Sequence, residues 1–184
     1  CSFENNGELI STFMIVCKCG ELFFESNNFE FSDKTKTSGA IQSVNPTKVT
    51  ITDSNFTNCI VDAAATVLLQ GQGQTASTTI TNCKFIECKA SSYSIQISGG
   101  TSEVDSVTVS FESTSFACGA IDFGNRGFIC QNSFFIHTNA LGSIMIAQAD
   151  GVTNKVVVDG CTFDGCAGSN RRCFNILIKT TDFT

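Results

Sequence analysis

The sequence predicts an all-β fold: a right-handed, single-stranded parallel β-helix, a solenoid of about seven coils filling residues 1–184 as one domain. Three observations carry that prediction. One motif returns along the whole chain, as in VTITDSNFTNC (49–59), TTITNCKFIEC (78–88) and VVVDGCTFDGC (156–166). Each copy opens on apolar residues at every second position, the mark of a strand with one buried face. The composition favours strands as well, with 16 Ile against 6 Leu, 17 Phe and 21 Thr. Self-similarity at a period of tens of residues belongs to stacked-repeat architectures, whose loops vary in length around a constant core.

The elements follow from aligning the copies on one aromatic: Phe3, Phe29, Phe56, Phe85, Phe116, Phe134, Phe163 and Phe183. Seven and five residues before it stand the inward pairs of a first strand. They are Leu22/Phe24, Val49/Ile51, Thr78/Ile80, Val109/Phe111, Gly127/Ile129, Val156/Val158 and Ile176/Ile178. The alternate positions Thr50/Thr52, Thr79/Thr81 and Thr108/Ser110 then face out as a T-x-T array over three coils. A polar corner comes next (Ser26-Asn27, Asp53-Ser54, Asn82-Cys83, Gly160-Cys161), after which the Phe turns inward.

A second strand recurs between these blocks. Its inward pairs are Phe13/Ile15, Ile41/Ser43, Val67/Leu69, Ile95/Ile97, Ile121/Phe123 and Ile144/Ile146, with Ser43 the misfit. Gly-rich and polar loops at 70–77, 98–106 and 147–155 lead back to the first strand, and GNRG (124–127) is the tightest return. Coils stacked at the usual strand spacing of about 4.8 Å turn the Phe residues into an internal column and the Ile and Val residues into aliphatic ladders. The right hand follows from the crossover rule for parallel strands. A β-sandwich also has many short strands, but it has no need of one motif held in one phase.

The 11 cysteines fall into this frame. Their odd number leaves at least one thiol unpaired within the chain. Cys59, Cys88 and Cys166 stand three residues after the Phe, with His137 in that place in another coil. Cys1, Cys83 and Cys161 stand two before it. Three readings are open: small apolar residues filling a corner, a disulfide joining Cys59 and Cys88 in consecutive coils, or a metal site, for which Cys17-Lys18-Cys19 offers only two ligands. Buried, reduced thiols are the expectation, and no metal or cofactor is assigned.

These repeats resemble those of polymorphic outer-membrane protein-like β-helices, known from chlamydial surface autotransporters and from surface families of protists. The family signatures are G-G-A-I and F-x-x-N. Ser38-Gly39-Ala40-Ile41 and Cys118-Gly119-Ala120-Ile121 approximate the first, and Phe3-Glu4-Asn5-Asn6 matches the second. Phe56-Thr57-Asn58-Cys59, Phe85-Ile86-Glu87-Cys88 and Phe163-Asp164-Gly165-Cys166 carry Cys in place of the final Asn. The resemblance covers nearly the whole chain and implies a cell-surface adhesin or passenger domain.

Charge and composition narrow the function. A net charge of −6 with no basic stripe speaks against nucleic acid. The longest apolar run, Phe13 to Cys17, is far short of the roughly 18 residues a membrane helix needs. Lyase chemistry on a β-helix needs clustered acidic calcium ligands beside a base, and hydrolysis needs paired carboxylates. The outward middle position of the second strand reads Met14, Gln42, Leu68, Gln96, Asp122, Met145 and holds one carboxylate. Asp122 beside Arg126 is the best acid–base pair and reads as a surface pair.

The expected function is therefore a non-enzymatic structural or adhesive module, extracellular or at a cell surface. It would bind a protein or glycan ligand, or neighbouring copies end to end, through its sheet face and variable loops. Met14, Leu68 and Met145 form the candidate binding stripe, and Asn55 in Asn55-Phe56-Thr57 is the candidate N-glycosylation site. A polysaccharide lyase or hydrolase is the first alternative, and ice binding through the Thr array is the second. Because the chain opens on Cys1 and holds the repeat phase at both ends, it reads as a segment of a longer solenoid.

Overall fold

The structure, a computed structural model, describes residues 2–5, 13–18, 20–31, 39–59, 65–70, 75–88, 93–110, 119–124, 127–138, 144–147, 156–166 and 174–177. These residues form twenty strands and no helix. In chain order they are β1 (Ser2–Asn5), β2 (Phe13–Cys17), β3 (Glu21–Glu25), β4 (Asn28–Phe31), β5 (Gly39–Val44), β6 (Lys48–Thr52) and β7 (Asn55–Thr57). There follow β8 (Ala65–Gln70), β9 (Ser77–Thr81), β10 (Lys84–Ile86), β11 (Tyr93–Ser98), β12 (Thr101–Asp105), β13 (Thr108–Ser110) and β14 (Gly119–Gly124). The last are β15 (Gly127–Gln131), β16 (Phe134–Ile136), β17 (Ile144–Ala147), β18 (Val156–Asp159), β19 (Thr162–Asp164) and β20 (Phe174–Leu177).

The strands pass in strict rotation through three sheets. The first sheet runs β1-β4-β7-β10-β13-β16-β19, the second β2-β5-β8-β11-β14-β17-β20, and the third β3-β6-β9-β12-β15-β18. Every pairing is parallel and joins a strand to its counterpart one coil away, as in β4 with β7 and β9 with β12. The molecule is thus a parallel β-solenoid, as the repeats predict. Each coil carries three strands, because the aromatic of the motif lies on a short strand of its own.

That short strand builds the centre of the core. Its column reads Phe3, Phe29, Phe56, Phe85, Val109, Phe135 and Phe163. Phe29, Phe56, Phe85, Val109 and Phe135 are fully buried. The rings of Phe29 and Phe56 stack at 4.8 Å, those of Phe56 and Phe85 at 4.5 Å, and those of Phe135 and Phe163 at 4.9 Å. Those distances match the spacing of parallel strands, so strand pairing itself brings the rings into van der Waals contact. The third sheet adds the inward columns Leu22, Val49, Thr78 and Phe24, Ile51, Ile80, Val104, Cys130, of which Phe24 is only partly buried. The second adds Ile41, Val67, Ile95 and Leu69, Ile97.

The register corrects the sequence frame at several places. Val109, not Phe116, occupies the aromatic column, and Phe135, not Phe134, takes the next rung. Phe134 points outward and is 49% exposed. The corrected coils run from 24 to 29 residues, so the coil of 18 was an artefact of the slip. Residues 101–105, expected as part of a loop, are β12 of the third sheet. In register, β12 therefore contributes Ser102 and the buried Val104 in place of Val109/Phe111, and β15 the buried Phe128/Cys130 in place of Gly127/Ile129. Ile176 belongs to the second sheet, where it pairs with Ile146. Ile15 and Cys17, not Phe13 and Ile15, share the rung of Ile41 and Ser43. Phe183 and Ile178 lie outside the described residues, as does the region around Phe116.

Backbone handedness marks the corners. Ser26, Asp53, Asn82, Ser106, Asn132 and Gly160 all have φ near +50 to +60°, one per coil, at the turn from the third sheet into the first. Asn58, Glu87, His137 and Gly165 repeat this at the far end of the first sheet. Asn, Asp and Gly enter this region at least cost, which explains the polar corners of the motif. Gly165 is constrained twice, since a Cβ there would also overlap the His137 imidazole.

Candidate functional site

Outward residues of the third sheet line a groove of about 290 Å³. It spans three rungs of β9, β12 and β15. Ser77, Thr101 and Gly127 share one column, and Thr79, Glu103 and Ile129 share the next. Strand alternation turns all six away from the core. Gly127 has no side chain, so the first column opens at its far end. The lining offers three hydroxyls, one carboxylate and one apolar wall.

The same columns continue beyond the groove. Thr79 is preceded by Thr50 and then by Phe23, which is 57% exposed. The Lys48 ammonium lies 5.4 Å from the centre of the Phe23 ring, a cation–π contact that braces the ring against the sheet. The outward face thus presents an aromatic plate at one end and a hydroxyl-lined groove at the other, about two rungs apart. The sequence contained the Thr columns but not Glu103, because β12 was expected to be loop.

The expected Thr array is shorter than three coils. Thr50/Thr52 and Thr79/Thr81 are in register, but the third rung is Glu103/Asp105. Thr108 and Ser110 sit on β13, in the first sheet.

The candidate binding stripe is not assembled as one exposed line. Leu68 is buried, at 5% exposure. Val16, not Met14, shares its rung with Gln42 and so leads to Leu68; Met14 is half-buried. Met145 lies on the Leu68 column but three rungs on, after Gln96 and Asp122; its side chain is outside the described residues. Arg126, the partner expected for Asp122, is outside them too. Asn55, the sequon residue, is exposed at the start of β7 beside the buried Phe56.

Five of the seven described cysteines fall in two corner columns, while Cys17 and Cys130 lie on strands. In the first, Asn27, Ser54, Cys83, Val107, Ser133 and Cys161 occupy equivalent positions. The Ser54 Oγ accepts the Asn27 N–H at 3.2 Å and donates to the Thr52 carbonyl at 2.8 Å. Ser133 does the same with the Val107 N–H at 3.2 Å and the Gln131 carbonyl at 2.7 Å. Cys83 takes up the role, donating to the Thr81 carbonyl at 3.3 Å with a backbone hydrogen bond from Ser54. Ser and Cys are thus interchangeable where the corner wants a small donor-acceptor.

The second column holds Cys59, Cys88, Thr138 and Cys166. Thr138, not His137, is the counterpart of the cysteines, and its hydroxyl donates to the Cys166 sulfur at 3.1 Å. Cys88 donates to the Phe56 carbonyl at 3.1 Å and Cys166 to the Phe135 carbonyl at 3.1 Å, each one coil back. Cys59 and Cys88 are both buried, and no disulfide joins them. Burial pushes the Cys59 thiol well up, and the neighbouring Cys88 raises it further. None of the seven described cysteines is in a disulfide. Among the described residues no group of three or more His, Cys, Asp or Glu is placed to hold a metal ion. No helix among them is long and apolar enough to cross a membrane.

Neither a protein-family model, a curated protein nor a solved structure matches the chain.

Proposed function

We propose that this chain is a non-enzymatic adhesive module of an extracellular or cell-surface protein, of the kind suggested by the polymorphic outer-membrane protein-like repeats, and that it binds a glycan along its third sheet. The groove on β9, β12 and β15 carries this reading. Hydroxyls at Ser77, Thr79 and Thr101 with the Glu103 carboxylate supply both donors and acceptors to sugar hydroxyls. Phe23 offers an exposed ring face on the same column for the apolar side of a second sugar. An extended glycan spanning about two rungs would touch both.

Binding of the 184-residue chain to an oligosaccharide array tests this. Phe23→Ala and Glu103→Gln should each weaken the retained glycan about tenfold, roughly 1.4 kcal/mol, with melting unchanged. A silent array would sink the glycan reading, and binding to a protein partner lost in the same variants would replace it. Release of reducing ends that stops in Glu103→Gln would favour the hydrolase alternative.

A further inference from the structure

The Cys130 and Cys161 sulfurs lie 3.7 Å apart, in adjacent coils where the third sheet turns into the first. Cys130 is fully buried in the column of Val104 and Val158, whereas Cys161 is half-buried and reaches solvent. One sulfur is thus accessible and the other shielded directly behind it. Cys59 and Cys88 are also neighbours, but both are fully buried, so no reagent reaches either of them first.

We propose that Cys161 and Cys130 form a thiol–disulfide exchange site for low-molecular-weight disulfides, with Cys161 attacking and Cys130 resolving. The Cys161 thiolate attacks one sulfur of the disulfide RSSR. The S–S bond breaks, one RS⁻ leaves and takes a proton from water, and Cys161 carries SR. The Cys130 sulfur then attacks the Cys161 sulfur, the second RS⁻ leaves, and the Cys130 proton goes to it. Two protein thiols are oxidised to one disulfide while RSSR is reduced to two RSH. Closing 3.7 Å to a bond of about 2.05 Å asks for side-chain rotation at an already touching pair.

The surroundings favour this division of labour. The Cys161 thiol is lowered to about 7, first by the hydrogen bond from Cys130 and then by the backbone around it at Ser133 and Asp159. Its burial and the Asp159 carboxylate oppose that shift without cancelling it. Cys130 is pushed up by its bond to Cys161, by burial, by the charge on Cys161 and by Asp105. The attacking sulfur is therefore the more readily ionised of the two. The new bond would staple two coils across a span of 31 residues.

The test uses the full 184-residue chain, reduced, then treated with oxidised glutathione, quenched by alkylation and mapped by mass spectrometry. A Cys130–Cys161 cross-linked peptide is expected. Cys130→Ala should stop at Cys161 as a glutathione adduct, and Cys161→Ser should leave Cys130 a free thiol. Ser is already the native residue at the equivalent Ser54 and Ser133, so that variant keeps the corner hydrogen bonds. Alkylation of the native parent supplies a readout that needs no variant: Cys161 should react at least tenfold faster than Cys130. Equal rates, a parent left fully reduced by glutathione, or Cys161 bridged to a different cysteine would each overturn the proposal.

Discussion

At the scale of single residues, the corners explain why the described coils take cysteine as readily as serine. A polar residue at a buried corner position can accept an N–H from one coil and give a proton to a carbonyl of its own, whereas Val107 fills the same place with an apolar side chain. Ser54 and Ser133 do so with a hydroxyl and Cys83 with a thiol. A thiol satisfies this only while protonated. Burial, joined by the Asp53 charge, raises Cys83 from 9.0 to about 11. A raised pKa contributes stability that is fully present below the unfolded value and is lost as pH rises through the folded one. Cys83 should therefore cost the fold up to about 2–3 kcal/mol between pH 9 and pH 11. Cys59 acts in the same direction. The check is melting across that window in the parent and in Cys83→Ser, which has no thiol to ionise. The variant should lose less stability with rising pH, and identical slopes would refute the account. Ser43 shows what an unpaired corner-type residue looks like in the wrong place: its hydroxyl is buried with no hydrogen-bond partner among the described residues.

At the scale of elements, the aromatic strand is what the sequence announced most clearly and also where it misled. Phe29, Phe56 and Phe85 were legible because no second aromatic adjoins them in the motif. Ser133-Phe134-Phe135 offers two adjacent aromatics, and a shift of one residue exchanges the inward and outward faces of the whole strand. Val104, Val107 and Val109 are all buried across a corner, so alternation alone could not say where β12 ends and β13 begins. The groove was half legible for the same reason: its Thr residues repeat, but Glu103 sits on the strand that the Gly99-Gly100 pair disguised as loop. Phe85 lies in the part of the column free of these ambiguities, fully buried with Phe56 stacked on it at 4.5 Å. Phe85→Ala should cost about 3–5 kcal/mol, seen as a lower urea midpoint at unchanged slope. Melting like the parent would mean that the ring is not in the core.

At the scale of the whole molecule, each interior strand bonds to its counterparts in the coils before and after it, and strand pairing joins neighbouring coils alone among the described residues. Such a chain behaves as a one-dimensional stack, with stability divided into terms for each coil and terms for each interface. The aromatic column exposes that division to measurement. Phe56 and Phe85 share a stacked interface with an interplanar angle of 7°. Phe29 and Phe135 stand on the same column but with Phe56, Phe85 and Val109 between them, about 19 Å apart at the strand spacing. Removing both members of the first pair destroys one interface only once, so their effects should fall short of additive by about 0.5–1.5 kcal/mol. Removing both members of the second pair touches no common interface, and their effects should add to within about 0.3–0.5 kcal/mol. Double-mutant cycles by chemical denaturation, with Leu in place of each Phe to limit collapse of the column, measure both quantities. Equal coupling in the two pairs would show a core that responds as one body, and the description of this solenoid as a stack of nearest-neighbour interfaces would have to be abandoned.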